Sequence, residues 1–226
     1  MNTIIKRSKW ALCLIAFFVA VYISNSIFNG KLSEIFSCHG HLEPLECYRL
    51  LTYFCLHGSF LHLAVNSLSI LMLALILEPR LPGSHYIIFI ASSVIIGGIL
   101  FSIFNNSVAS LIGSGLVKTS MVGGVIACWF KFKTDFNKLE RIFTYILLAS
   151  LIVNCLEVIV VLVVKAVHVS PSDIYIISWI IFIYGYTYLF VLGKYYRLEI
   201  NKQHCDQVPP ASAQPDSRPW NYVKKI

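Results

Sequence analysis

Residues 46–66 read Glu46-Cys-Tyr-Arg-Leu-Leu-Thr-Tyr-Phe-Cys-Leu-His57-Gly-Ser-Phe-Leu-His62-Leu-Ala-Val-Asn66 and lead into a long apolar run. His62 and Asn66 are four residues apart, so on a helix they project from one face, one turn apart. Polar side chains in a membrane helix cost desolvation free energy and usually face a protein or water-filled interior. The stretch therefore predicts a polar site at the mouth of a membrane helix.

A second polar segment, Leu111-Ile-Gly113-Ser114-Gly115-Leu-Val-Lys118, opens another apolar run later in the chain. Small residues allow close contact between membrane helices, so helix packing is one interpretation of Ser114 and its glycines. The other interpretation is that Ser114 joins His62 and Asn66 in a polar site inside a membrane protein.

The composition excludes an ordinary soluble domain, since 57% of residues are hydrophobic, 13% are charged and the mean hydropathy is +0.73. A membrane span needs roughly 20 apolar residues. Six runs come close to this length: 10–28, 60–77, 86–104, 112–130, 142–164 and 174–192. The sequence predicts an all-α, polytopic domain over 10–192, with a short N-terminal segment 1–9 and a largely disordered tail 193–226.

The net charge is +7, and the basic residues are distributed unevenly between the two sides of the predicted membrane domain. Most lysines and arginines precede the first span, follow the last one or lie in the second and fourth loops, whereas Lys31, Arg49 and Lys165 lie on the opposite side. The positive-inside bias then predicts that both termini are cytoplasmic, as in a bacterial inner membrane or an equivalent one. Because topology accounts for the basic residues, we expect the lipid bilayer as partner and no nucleic acid.

Cysteine and histidine patterns do not indicate a metal or a cofactor. Cys38 and Cys47 share the first non-cytoplasmic loop and could pair in an oxidising compartment. No Cys-x-x-Cys pair occurs in the seven cysteines. His39 and His41 could bind zinc with His57, but no His-Glu-x-x-His motif supports this, so no metal site is predicted.

Four blocks together resemble the core of the rhomboid intramembrane serine proteases. These are Tyr-Arg-Leu-Leu-Thr-Tyr-Phe from residue 48, His57-x4-His62-x3-Asn66, Leu77-Glu78-Pro-Arg-Leu-Pro-Gly83 and Ser114-Gly115. The resemblance implies a fold of six transmembrane helices, with Ser114 at the nucleophile position and His62 and Asn66 as donors to the oxyanion. Supporting positions implied in the same way are His57, Gly113, Gly115, Arg49 and Glu78.

The sequence departs from that family pattern at two positions. The first glycine of the family's Gly-x-Ser-Gly segment is Ile112 here, although Gly113 precedes the serine. The family's general base is a histidine in the sixth span, and that position falls on Ile177 or Ser178 depending on the alignment. Neither residue can accept the proton, and residues 174–192 contain no histidine.

Lys118 is a third departure, because the family usually has an aromatic residue four positions after the nucleophile. Serine–lysine pairs are a known nucleophile–base variant, so Lys118 is an alternative base one turn from Ser114. Otherwise it reaches the interface or pairs with a carboxylate such as Glu157. His168, in the loop before the sixth span, is a weaker alternative, and Asn154 with Glu157 is typical of an interhelical contact.

Two functions follow from these observations. The first is a rhomboid-like pseudoprotease that engages transmembrane helices of client proteins without cutting them. The second is an active intramembrane serine endopeptidase that uses Ser114 with a non-histidine base such as Lys118. The missing histidine favours the first, because removal of the histidine from a serine-protease triad costs a factor of about 10⁶ in turnover.

Overall fold

The computed structural model describes residues 8–40, 42–81, 83–104, 110–132, 136–149 and 177–192. Within these residues the α-helices are α1 (Lys9–Ile27), α2 (Lys31–Phe36), α3 (Arg49–Thr52), α4 (Phe60–Leu77), α5 (Gly83–Phe104), α6 (Gly115–Phe132), α7 (138–149) and α8 (Ile177–Leu192). Short 3₁₀ turns cover Pro44–Glu46, Tyr53–Cys55 and Glu78–Arg80. The protein has the all-α, polytopic membrane fold that its composition predicts.

Three of the described helices are long and apolar enough to cross a membrane, namely Lys9–Ile27, Phe60–Arg80 and Gly83–Phe104. Helix α4 has the bounds predicted for the second span. Helix α5 begins three residues before the predicted third span, because its first turn accommodates the polar residues Ser84 and His85. Helix α8 is apolar but shorter.

The fourth span begins later than the sequence predicts. Helix α6 starts at Gly115 rather than at Ile112, so the predicted start is wrong by three residues. Leu111 pairs with Cys38 as an antiparallel bridge, with N···O distances of 2.7 and 3.1 Å. Gly113 then adopts a left-handed conformation with φ of 92°, which a right-handed helix cannot include.

Most of the predicted fifth span lies outside the described residues, together with Asn154 and Glu157. Helix α7 covers its beginning, and α8 covers all but the first three residues of the predicted sixth span. His41, His168 and the tail 193–226 also lie outside the described residues. The six-span count and the predicted domain boundaries therefore stay predictions.

Helices α6 and α8 pack closely through glycines. A Cβ on Gly185 would collide with the backbone of Ser120, and one on Gly123 would collide with the backbone of Phe182. A Cβ on Gly124 would meet the side chain of Leu189. Ser120 with Gly185 and Gly124 with Leu189 are both pairs of residues 65 apart, so the two helices run parallel in a fixed register. Such backbone contact is what small residues permit between membrane helices.

The segment between α1 and α4 is docked on α5. Arg49 Nη1 donates to the carbonyl oxygens of Ser37 (2.8 Å) and Glu34 (3.0 Å), which ties α3 to the end of α2. The Tyr53 hydroxyl donates to the Val94 carbonyl at 3.0 Å. Tyr48 and Leu51 remain 40% and 49% exposed. Short helices form in this loop, with one side packed on the protein and an apolar side uncovered.

The end of α4 that is remote from His62 carries a group of charged residues, Glu78, Arg80 and Glu140, which we call the charge clamp. The Glu78 carboxylate accepts the backbone N–H groups of Ala11 (2.7 Å) and Trp10 (3.2 Å), and so caps the N-terminus of α1. Arg80 forms a buried ion pair with Glu140 at 2.7 Å. Glu140 also accepts the Asn137 backbone N–H at the start of α7. The clamp thus joins α4 to α1 and α7.

Cys38 and Cys47 are both free thiols in the structure. Cys38 is fully buried and Cys47 is exposed. Burial raises the pKa of the Cys38 thiol to about 11, so the thiol is protonated at neutral pH.

Candidate functional site

Ser114 lies at the N-terminus of α6, directly after the extended segment that pairs with Cys38. The Gly113 N–H donates to the Tyr53 carbonyl at 2.9 Å, and the Ser114 carbonyl accepts the Lys118 N–H at 2.9 Å. The Ser114 side chain is fully buried, and its Oγ has no hydrogen-bond partner among the described residues. A buried hydroxyl without a partner is uncommon in native proteins and calls for an explanation, such as a catalytic role or a bound water or ion.

His62 lies in the first turn of α4, and Ser59 positions that turn. The Ser59 side chain accepts the His62 backbone N–H at 3.2 Å, which is an N-cap. A Cβ at Gly113 would come 2.8 Å from Cε1 and 3.0 Å from Nε2 of the His62 ring. Two independent constraints therefore require a glycine before Ser114. They are the left-handed backbone conformation of Gly113 and the His62 imidazole packed against it.

Asn66, one turn further along α4, meets Lys118 of α6. Lys118 Nζ donates to Asn66 Oδ1 at 3.1 Å. Asn66 is buried, and its Nδ2 has no hydrogen-bond partner. Asn66 lies one helical turn after His62 on α4, and Lys118 lies one turn after Ser114 on α6. Their contact therefore brings these four residues of α4 and α6 into one polar cluster.

His57 borders the cluster from the loop before α4. Its Nδ1 lies 3.1 Å from the Cys55 carbonyl, which can only accept, so Nδ1 carries the proton and Nε2 keeps its lone pair. The ring packs edge-on to His62, with 5.2 Å between ring centroids. Burial, and to a smaller extent nearby His62, lower the pKa of His57 to about 4, although the hydrogen bond to the Cys55 carbonyl opposes this shift. His57 is consequently neutral at pH 7. We call His57, His62, Asn66, Ser114 and Lys118 the polar cluster.

Of the other supporting positions from the sequence, Arg49 and Glu78 form their hydrogen bonds outside the cluster, and Gly115 directly follows Ser114. Arg49 organises the loop between α1 and α4, and Glu78 caps α1 at the far end of α4. A Cβ at Gly115 would meet nothing within 4 Å, so no steric contact requires glycine there. These residues stabilise the fold around the cluster.

The face of α8 that is turned toward α6 is apolar. Ile177, Ile181, Gly185 and Leu189 form a buried stripe at four-residue spacing. In the register set by Ser120 with Gly185, the stripe residues that bracket the level of Ser114 are Ile177 and Ile181. Ser178 flanks the stripe and is half-buried. Both positions aligned with the missing base thus lie on the expected helix, and neither offers a proton acceptor of sufficient basicity.

The sequence analysis assigns no role in the site to three residues that position the cluster: Ser59, Tyr53 and Cys38. Ser59 directly precedes an apolar run, and this N-cap signal could have identified it. Tyr53 accepts the Gly113 N–H through its carbonyl, and Cys38 pairs with Leu111. Both contacts join segments distant in the chain, so no local pattern indicates them.

The fold and the cluster define a helical membrane protein with a serine buried at the start of one helix, beside a histidine and an asparagine of another. The family model of the rhomboid domain matches residues 44–195, which is more than half of the chain. The chain belongs to the rhomboid family. No curated protein matches it as a relative.

Proposed function

We propose that this rhomboid-family protein engages transmembrane helices of client proteins in its polar cluster without cutting them. The supporting observation is the apolar face of α8, where Ile177 and Ile181 bracket the level of Ser114. A serine nucleophile needs a base within hydrogen-bond reach, about 2.6–3.2 Å. Ser114 Oγ has no such partner in the part of the chain that the structure describes.

Lys118 supports the same proposal. As a base it would have to accept the proton of Ser114 Oγ, whereas its Nζ donates to Asn66 Oδ1. That bond also holds Asn66, the residue that the family resemblance makes an oxyanion donor. The Lys118–Asn66 bond therefore opposes both the use of Lys118 as a base and the use of Asn66 as an oxyanion donor.

A serine endopeptidase is the second candidate, favoured by Ser114 with its unpaired, buried hydroxyl next to His62. In that mechanism Ser114 Oγ attacks the scissile carbonyl, and the Asn66 Nδ2 group and His62 stabilise the oxyanion. Lys118 would take the serine proton after releasing Asn66.

The deciding experiment incubates the purified protein in phosphatidylcholine vesicles with a single-span model substrate. Mass spectrometry would detect any cleavage product, and photo-crosslinking would report binding. We expect both the parent and Ser114→Ala to crosslink to the substrate and neither protein to cleave it. A product that depends on Ser114 would overturn the proposal and establish the endopeptidase, and loss of that product in Lys118→Met would identify the base.

We also propose that both termini are cytoplasmic and that the α1–α4 loop faces the opposite compartment, on the basis of the positive-inside bias. A compartment-sensitive reporter fused after Ile226 should read as cytoplasmic. An exported reading would contradict both this orientation and the six-span count.

A further inference from the structure

The Lys118 ammonium lies inside the apolar part of the protein without a charged partner among the described residues. Its acceptor there is a neutral amide oxygen, Asn66 Oδ1 at 3.1 Å. Cationic side chains within membrane segments are costly, face the protein interior or a cavity, and usually pair with an opposite charge. The retained charge of Lys118 therefore calls for a partner.

The described carboxylates either have other partners or lie in another part of the fold. Glu78 caps α1 and Glu140 pairs with Arg80, both in the charge clamp. Glu46 pairs with Arg49 at 3.1 Å, and Glu34 and Glu43 lie in the same α1–α4 loop. Among the described residues, none of these forms an ion pair with Lys118.

Two groups of the polar cluster can donate a hydrogen bond and have no acceptor among the described residues. They are Asn66 Nδ2 and Ser114 Oγ, which are both buried, and the Lys118 ammonium has two further N–H groups. Ser114 and Asn66 are buried, whereas His62 and Lys118 are only half-buried, so the cluster is open on the side of these two residues. Donors of this kind around a cation match the two oxygens of a carboxylate.

We propose, building on the function proposed above, that the polar cluster selects client helices that carry an aspartate or glutamate within the membrane, which binds Lys118. Asn66 Nδ2 and the Ser114 hydroxyl complete the carboxylate site as neutral donors. Because Lys118 lies one helical turn into α6 from Ser114, about 6 Å along the axis, the client carboxylate lies about one turn inside the mouth of the site. The lysine thereby replaces the family's oxyanion chemistry with recognition of a permanent anion.

The test uses the full protein in phosphatidylcholine vesicles and three synthetic apolar transmembrane peptides that differ at one position. That position, one turn from the peptide end, holds Glu, Gln or Leu, so only the peptide supplies a carboxylate. Fluorescence quenching would give the affinity of each peptide. We expect the Glu peptide to bind at least about tenfold more tightly than the Gln peptide.

Matched variants assign the preference to one residue. Lys118→Met should bind Glu and Gln peptides equally, while Lys118→Arg, which keeps the charge, should retain the preference. Lys131→Met removes a cation at the other end of α6 and should leave the preference unchanged. Circular dichroism would establish that each variant is folded before affinities are compared.

The outcomes separate the two proposals. Equal binding of the Glu and Gln peptides to the parent overturns carboxylate selection and leaves helix engagement intact. Failure of every peptide to bind overturns the proposed function itself. A preference that survives Lys118→Met, or that emerges only in Glu157→Gln, also overturns carboxylate selection, because another cation would then be responsible or Lys118 would already be paired within the chain.

Discussion

The two ends of helix α4 differ in how the charged side chains beside them are paired. At the C-terminal end, the charge clamp gives Glu78 two backbone N–H donors and pairs Arg80 with Glu140. Beside the N-terminal half, Lys118 of α6 meets a neutral amide, and buried polar atoms of His57, Asn66 and Ser114 have no hydrogen-bond partner among the described residues. The clamp pairs opposite charges and joins three helices, whereas the cation of the polar cluster meets no opposite charge among the described residues.

This contrast separates structural from functional polar residues. Removing one partner of a buried ion pair is strongly destabilising, because the other charge is left uncompensated. By comparison, a buried polar group without a partner costs stability, and a bound ligand or ion can explain why it is retained. Mutations in the charge clamp should therefore lower stability, whereas mutations in the polar cluster should weaken binding.

The largest effect is expected from the clamp. Arg80→Met leaves Glu140 buried without its ion-pair partner and should lower the free energy of unfolding by about 3–5 kcal/mol. Lys138→Met, which changes an exposed residue of the same helix as Glu140, should stay within about 0.5 kcal/mol. Denaturant titration in detergent micelles would measure both. Equal effects of the two substitutions would show that the Arg80–Glu140 pair is not a stabilising contact.

The next effect concerns His57 and acid. The pKa of His57 is about 4 in the folded protein, against 6.5 for an unperturbed histidine. The unfolded chain therefore binds a proton as the pH falls through 6.5, whereas the folded protein does so only near 4. Stability is complete above pH 6.5 and falls between 6.5 and 4, by at most about 3 kcal/mol.

His57→Phe should flatten this acid-dependent loss, as thermal unfolding measured from pH 7.5 to 4 would report. His85→Phe is the matched control, because it removes a histidine of the first turn of α5, outside the polar cluster. An unchanged pH profile in His57→Phe would assign the acid sensitivity to other groups.

Lys118→Met tests whether the Lys118 charge lowers or raises the stability of the resting protein. Removing a cation that has no opposite charge among the described residues should raise the free energy of unfolding by about 1–2 kcal/mol, despite the lost bond to Asn66. Lys131→Met should bring no such gain, since its ammonium bonds the Phe190 carbonyl and lies over the Phe190 ring. A destabilised Lys118→Met protein would place Lys118 with the structural residues.

The smallest effect is expected at Ser59. Ser59→Ala removes the N-cap of α4 and should cost about 1 kcal/mol. Ser69→Ala is the control, because the Ser69 hydroxyl only returns to the Val65 carbonyl of its own helix. If Ser59 also orients His62, affinity for transmembrane peptides should fall in Ser59→Ala and remain unchanged in Ser69→Ala.

The sequence by itself determined the fold class and the bounds of α4, and it named His62, Asn66 and Ser114 as candidates for one site. The length of an apolar run and the identities of His62, Asn66 and Ser114 can be read directly, and so can the lack of a histidine in 174–192. These features are local, and lipid permits few alternatives to a helix for such runs. The start of α6 was predicted wrongly because it depends on a bridge to Cys38, which no local pattern contains.

Only the tertiary structure decided how the polar residues pair. Lys118 and Asn66 are 52 residues apart, and Glu78 is 67 residues from the N–H of Ala11 that it caps. Which partner a buried lysine or glutamate finds depends on how helices pack, and glycines such as Gly113 and Gly185 set that packing through close contact. Periodicity places a side chain on a helix face, but the neighbouring helix determines whether its charge is neutralised or left available for a ligand.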